Sequence, residues 1–147
     1  MKILVLRFSS IGDIVLTTPV LRILKTQLDD VKLHFATKEK FANILASNPY
    51  LDQIHRLGTS EAELIQELKI EKFDLIIDLH NNLRTWLIQK KLGVKTYRFD
   101  KLNIKKWLFT NFKIDLLPNI HIVDRYLASI APLGVKGDAL GLDFFIP

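Results

Sequence analysis

The stretch MKILVLRFSSIGDIVLTTPVLRILKTQL, residues 1–28, decides the fold. Residues 2–8 form a nearly continuous apolar run, the pattern of a strand buried on both faces of a parallel sheet. Residues 13–28 place Ile14, Leu21, Leu24 and Leu28 at helical spacing, which predicts an amphipathic helix. Between the two, Ser9, Ser10, Ile11 and Gly12 make a polar corner, and Asp13 opens the helix. In an open α/β sheet such a corner lies on the edge where ligands bind. A carboxylate there can take a proton from a substrate hydroxyl, the chemistry of group transfer to an alcohol. Ser10-x-x-Asp13 also has the spacing of a capping box, and the helix dipole favours a carboxylate at that end. The two roles are compatible, because a helix-start aspartate stays ionised.

Further along the chain the same alternation repeats. Strands are expected at 31–36, 53–57, 73–79 (FDLIIDL) and 94–99. Helices are expected at 38–47, stopped by Asn48-Pro49, and from a Ser60 N-cap to Glu71 with Leu64, Ile65 and Leu68 inward. Two more are expected at 83–91, ending before Gly93, and at 121–131 with Val123, Leu127 and Ile130 inward. Residues 102–112 offer a further helix. Strands alternating with helices predict a Rossmann-like parallel sheet with right-handed crossovers and helices on both faces. The chain closes on Phe144-Phe145-Ile146-Pro147, an apolar tail that suggests a following domain. The organisation expected is therefore a domain over 1–140 and the start of a linker over 141–147.

Composition narrows the classes. The 147 residues suffice for one domain with a core, and 48% hydrophobic with 25% charged residues is globular rather than disordered. The absence of cysteine excludes disulfides and thiolate-bound metals and suits a reducing compartment. A net charge of +5 fits either a solvated lysine-rich surface or an anionic partner. No nucleic-acid motif is present, so nucleic acid is not an expected partner. Residues 1–8 begin like a signal peptide, but Arg7 and the polar run 9–13 break it and no cleavage site follows. No apolar run approaches the roughly 20 residues of a spanning helix. The expected location is the cytoplasm.

If the strand order is 3-2-1-4-5, strands 1 and 4 flank the switch point and a crevice opens between their loops. The first loop brings Ser9, Ser10, Gly12 and Asp13; the second brings His80, Asn81 and Asn82, with Arg84 just inside the next helix. Gly12 permits close approach of a ligand, and the free N–H groups of a helix start suit a phosphate. Neither G-x-G-x-x-G nor a P-loop occurs, which argues against a nicotinamide or P-loop nucleotide site. Asp78, inside an apolar run, reads either as functional or as a carboxylate bonding nearby backbone N–H groups. His80 partners no nucleophile, so a hydrolase triad is unsupported. The four histidines, at 34, 55, 80 and 121, are scattered and suggest no metal site. Arg84 and Arg125 suit bidentate anion binding. Lys105, Lys106, Trp107, Phe109 and Phe112 interleave base and aromatic, the pattern either of a core helix or of one lying on an anionic membrane.

These stretches together resemble a known family. RFSSIGDIVLTTPVLRILK (7–25), NPYLD (48–52), FDLIIDLHNNLRT (73–85) and HIVDRYL (121–127) are similar, in order, to motifs of family 9 glycosyltransferases, the lipopolysaccharide heptosyltransferases. The resemblance implies a GT-B fold of which this chain is the N-terminal, acceptor-binding half, the donor-binding half being absent. It implies transfer of a sugar, with ADP-heptose the expected donor, to an anionic lipopolysaccharide core acceptor. That transfer would proceed with inversion, without a metal or cofactor, and with Asp13 as general base. By the same resemblance Ser9, Ser10 and Gly12 would sit under the donor diphosphate. His80, Asn81, Asn82, Arg84 and Arg125 would serve the acceptor. The isolated half would be inactive, and peripheral contact with the cytoplasmic face of the inner membrane is implied. His80-Asn81-Asn82 departs from the family's usual Gln-Gly pair, which leaves the acceptor open. The competing reading is a non-catalytic α/β module that binds a phosphorylated sugar or nucleotide.

Overall fold

The computed structural model describes residues 1–99, 118–138 and 140, with 118–121 described by their backbone alone. Strand β1 (Lys2–Leu6) lies at the centre of a five-stranded sheet of order β3-β2-β1-β4-β5, with β2 at Lys32–Lys38, β3 at Gln53–Leu57, β4 at Leu75–Asp78 and β5 at Thr96–Arg98. All four pairings are parallel, and the register sets Leu4 beside both His34 and Ile76. Alternate residues of β1 serve opposite faces. Ile3 and Val5 enter one core with Leu21, Leu24 and Ile77, whereas Leu4 and Leu6 enter the other with Leu64, Leu68 and Ile76. An apolar run with no polar alternation is what two covered faces require.

Helices α1 (Ile11–Val15), α2 (Thr18–Gln27) and α3 (Ala42–Leu45) contribute to the first core, joined by α6 (Pro118–Ile130). Helices α4 (Glu61–Glu71) and α5 (Leu83–Leu92) cover the second face. The connection reverses face between β3 and β4, so β1 and β4 flank the switch point as the order 3-2-1-4-5 requires. The Ser60 hydroxyl caps α4 by accepting the Glu63 N–H at 3.2 Å. Leu64, Ile65 and Leu68 are buried as expected. Each such side chain, once removed from water, contributes on the order of 1.5–3 kcal/mol.

Three helices differ from their sequence patterns. The helix expected over 13–28 is broken into α1 and α2. Pro19 has no N–H to give the Val15 carbonyl, and the hydroxyls of Thr17 and Thr18 take over the carbonyls of Ile14 (2.6 Å) and Val15 (2.8 Å). The helix expected over 38–47 is a 3-10 turn, Glu39–Phe41, followed by the single turn of α3. It stops because Asn48 precedes a proline and its side chain accepts the Tyr50 N–H at 2.9 Å. Helix α6 begins earlier than expected, at Pro118. Its buried residues are Tyr126 and Ile130, with Val123 and Leu127 half-buried around them. The segment 102–112 and its basic-aromatic pattern lie outside the described residues, as does the linker at 141–147. No helix among the described residues is long and apolar enough to cross a membrane.

Candidate active site

Asp13 sits in the first turn of α1, at the C-terminal end of β1 and beside the switch point. Its Oδ2 receives three contacts: Arg7 Nη2 at 2.9 Å, the Ser10 hydroxyl at 2.8 Å and the Ser10 N–H at 3.3 Å. Among the described residues Oδ1 accepts no hydrogen bond, which leaves it for a ligand. Partial burial pushes the carboxyl up, but the Ser10 hydroxyl, the Arg7 charge and the Ser10 N–H outweigh it. The group stays below the ordinary carboxylate range. Asp13 is therefore ionised at neutral pH with one oxygen tied and one open. The capping role anticipated for Ser10 and Asp13 coexists with this, since the same Oδ2 bonds the Ser10 backbone.

Arg7 is the residue that sequence reasoning left out. Besides Asp13, it donates from Nε to the Ser9 carbonyl at 2.6 Å and from Nη1 to the Leu79 carbonyl at 3.1 Å. One guanidinium thus fastens the loop after β1 to the loop after β4. The signal was present: a cation closing an otherwise apolar strand run demands a partner. Tyr126 was also missed as a neighbour. It is 1% exposed, and burial pushes its phenol up to about 12, with the Arg7 and Asp13 charges acting on it in opposite directions. Its ring meets Phe99 edge-on at 5.0 Å between centroids.

The second loop is brought beside the first, as the switch-point argument expects, and its side chains already hold structural partners. His80 Nδ1 accepts the Phe8 N–H at 3.1 Å, which places the proton of the neutral ring on Nε2. Asn81 donates to the Phe99 carbonyl and accepts from Trp86 Nε1. Asn82 caps α5 by accepting the Thr85 N–H at 3.0 Å. Asp78 takes the bland reading offered for it. It is fully buried, with Oδ1 accepting the His80 and Asn81 N–H groups and Oδ2 facing Arg98 Nε at 2.9 Å.

Gly12 faces open space, since a Cβ built there would meet nothing within 4 Å. Ser9 is half-buried and Ser10 exposed beside it. Arg84 pairs with Glu61 and lies over the Phe8 ring, 5.4 Å from its centroid. It lines a cleft of about 470 Å³ with Lys38, Glu39, Lys40, Leu57 and Gly58. The cleft adjoins the first loop through Lys38, whose N–H reaches the Phe8 carbonyl at 3.4 Å. Lys38 and Lys40 are cations that the sequence pattern had not singled out. Arg125 stands apart from this cleft's lining, half-buried on α6.

The histidine expectation needs correction. His34 and His55 are not scattered in space, because the β2–β3 register sets His34 opposite Gln53 and His55 opposite Ala36, and their ring nitrogens meet at 2.8 Å. Sequence distance concealed a pairing that parallel strands impose.

A five-stranded parallel sheet covered by helices on both faces, with a carboxylate at its switch point, is a Rossmann-like half of the GT-B kind. The likeness to solved structures agrees. The glycosyl transferase family 9 structure from Veillonella parvula superposes with a TM-score of 0.74 at 22% identity, covering 99% of this chain and 45% of that one. The Escherichia coli heptosyltransferase WaaC, solved with ADP, gives a TM-score of 0.71 at 18% identity, covering 97% of this chain and 50% of its own. In sequence, the chain is 29% identical over 136 residues to lipopolysaccharide heptosyltransferase 1 of Campylobacter coli. It is 27% identical over 139 residues to lipopolysaccharide heptosyltransferase 3 of Escherichia coli. These alignments cover 86% and 84% of this chain, which spans 40% of the length of either relative. No family model matches the chain. Fold and sequence together make the chain similar to the family 9 heptosyltransferases over the part of their length that it spans.

Proposed function

We propose that this chain is the acceptor-binding half of an inverting glycosyltransferase that moves heptose from ADP-heptose to a hydroxyl of a lipopolysaccharide core acceptor. The observation that carries the reading is the Asp13 carboxylate, ionised, anchored through Oδ2 and open at Oδ1 on the switch-point edge. In this reading Oδ1 receives the proton of the acceptor hydroxyl. The hydroxyl oxygen attacks the anomeric carbon from the face opposite the diphosphate, the bond from carbon to phosphate oxygen breaks, and ADP leaves. Anchoring Oδ2 to Arg7 fixes the direction from which the base meets its substrate, a contribution of proximity rather than of raw basicity. Gly12 and the adjacent serines leave room for the donor diphosphate. Lys38, Lys40 and Arg84 supply positive charge for an anionic acceptor, and Arg125 would have to contribute from α6. The proposed setting is the cytoplasmic face of the inner membrane, where such a glycolipid is presented.

The test is transfer from ADP-heptose to a lipid A–Kdo acceptor by the full-length protein and its Asp13→Asn variant. Loss of a general base costs about 10²–10⁴-fold in turnover. Such a loss with donor binding preserved is the expected result. Normal turnover in the variant removes Asp13 from the mechanism. No transfer by the wild type returns donor and acceptor to open choice and favours the binding-module reading.

A further inference from the structure

We propose that His34, His55 and Glu71 form a binding site for one divalent transition-metal ion of the zinc type, separate from the substrate edge of the sheet. His34 Nδ1 lies 2.8 Å from His55 Nε2 and 3.7 Å from Glu71 Oε2, and the three donor atoms fall within 4.8 Å of one another. Both histidines are buried, at 5% and 1% exposure, while the Glu71 side chain opens the group to solvent. Two imidazole nitrogens and one carboxylate oxygen are a donor set that zinc accepts, with a fourth position left to water.

A neighbouring contact supports the assignment. His55 Nδ1 faces Glu67 Oε2 at 3.0 Å. A carboxylate on one ring nitrogen holds the proton there and turns the lone pair of the other nitrogen toward the metal position, the arrangement that surrounds metal-bound histidines. The Phe73 ring stands nearly perpendicular to that of His34, at 5.1 Å between centroids, and shields the pair from one side. Lys2 is the nearby cation, and its grip on the carboxylate is loose: Nζ bonds the Glu71 carbonyl at 2.8 Å but stands 3.5 Å from Oε2.

Without an ion the two rings share a proton. Their planes differ by 17°, and the 5.1 Å between centroids is spanned by the N···N contact and the two ring radii, so the rings lie edge to edge. Zinc–nitrogen bonds of about 2.0–2.1 Å in a tetrahedral site set the nitrogens about 3.3 Å apart. Binding therefore moves the His34 proton from Nδ1 to Nε2, turns both rings so that their lone pairs meet at the ion instead of at each other, and parts the nitrogens by about half an ångström. The ion would join β2, β3 and the last turn of α4, at the end of the sheet where Lys2 begins β1.

The experiment uses the full-length protein without an affinity tag, stripped with chelator and titrated with zinc chloride by calorimetry, and with cobalt(II) by visible absorption. One ion per chain, with the intense cobalt bands of a low-coordinate site, is expected. Glu71→Gln alters a partly exposed helix end and leaves the histidine pair in place; it should weaken binding at least about tenfold. Absence of saturable binding overturns the proposal. So does an unchanged affinity in Glu71→Gln whose circular dichroism matches the wild type.

Discussion

At the scale of single residues, Arg7 and Asp13 must be read as one unit. A carboxylate at a helix start needs no arginine to remain ionised, so the 2.9 Å contact between them has a different consequence: it fixes orientation. Because Asp13 is held below the ordinary carboxylate range, it contributes stability above its unfolded-state pKa, and that stability is lost as pH falls through the lower, folded value. Arg7→Met removes the charge and the bonds to the Ser9 and Leu79 carbonyls. The Asp13 titration, followed by carboxyl carbon NMR, is expected to move upward, since burial persists while a stabilising charge is gone. The acid-side loss of stability attributable to Asp13 should shrink accordingly. An Asp13 titration indifferent to Arg7 would mean that Ser10 alone sets it. Arg7→Met is also expected to cost about 1–3 kcal/mol at neutral pH through orphaned carbonyls, read from urea unfolding.

At the scale of elements, local chemistry was legible wherever neighbours in sequence settle the matter. Ser60 caps α4, Gly93 ends α5 at φ +65°, and β3 occupies the five residues its pattern marked. The pattern failed where backbone hydrogen bonding overrode apolar spacing, at Pro19 and at Asn48-Pro49. The two helix C-termini make a matched test. Both C-cap residues are left-handed, Gly93 at φ 65° and Lys72 at φ 56°, but only one is glycine. A side chain in that region costs roughly 1–2 kcal/mol. Gly93→Ala should therefore destabilise by about 1 kcal/mol, although no neighbour lies within 4 Å of the added Cβ. Lys72→Gly should stabilise by a similar amount, offset in part by the greater freedom of glycine in the unfolded chain. Denaturant midpoints shifting in opposite directions would bear out the backbone argument. Shifts of the same sign would show that side-chain contacts, not φ, govern these ends.

At the scale of the whole molecule, the parallel sheet followed from the alternation of strands and helices, and the placing of Asp13 at the switch point followed once the order 3-2-1-4-5 was assumed. The contacts that complete the site did not. Arg7 reaches Leu79 across 72 positions, and His34 meets His55 across 21, through pairings that no local pattern encodes. Helix α6 is the furthest case: its spacing pointed to Val123, Leu127 and Ile130, of which Ile130 is fully buried and the other two half-buried, but it also buries Tyr126, which the spacing did not mark, within reach of the Arg7 and Asp13 charges. Aromatic residues with a polar tip fit either side of an amphipathic helix, so periodicity alone cannot seat one. That burial has a readable signature. The phenol is pushed from 10.0 to about 12, so between those values the unfolded chain has released a proton that the folded chain still holds. Stability must then fall as pH rises from about 10 and level off near 12, by up to about 3 kcal/mol from this group. Lysines titrate in the same range, so the informative quantity is the difference between wild type and Tyr126→Phe. That difference should be constant from pH 7 to 9, and then move in favour of the variant as the wild type alone bears the cost of keeping the phenol neutral. A flat difference through pH 12 would place the Tyr126 hydroxyl in water, and with it would go the docking of α6 against the switch-point edge.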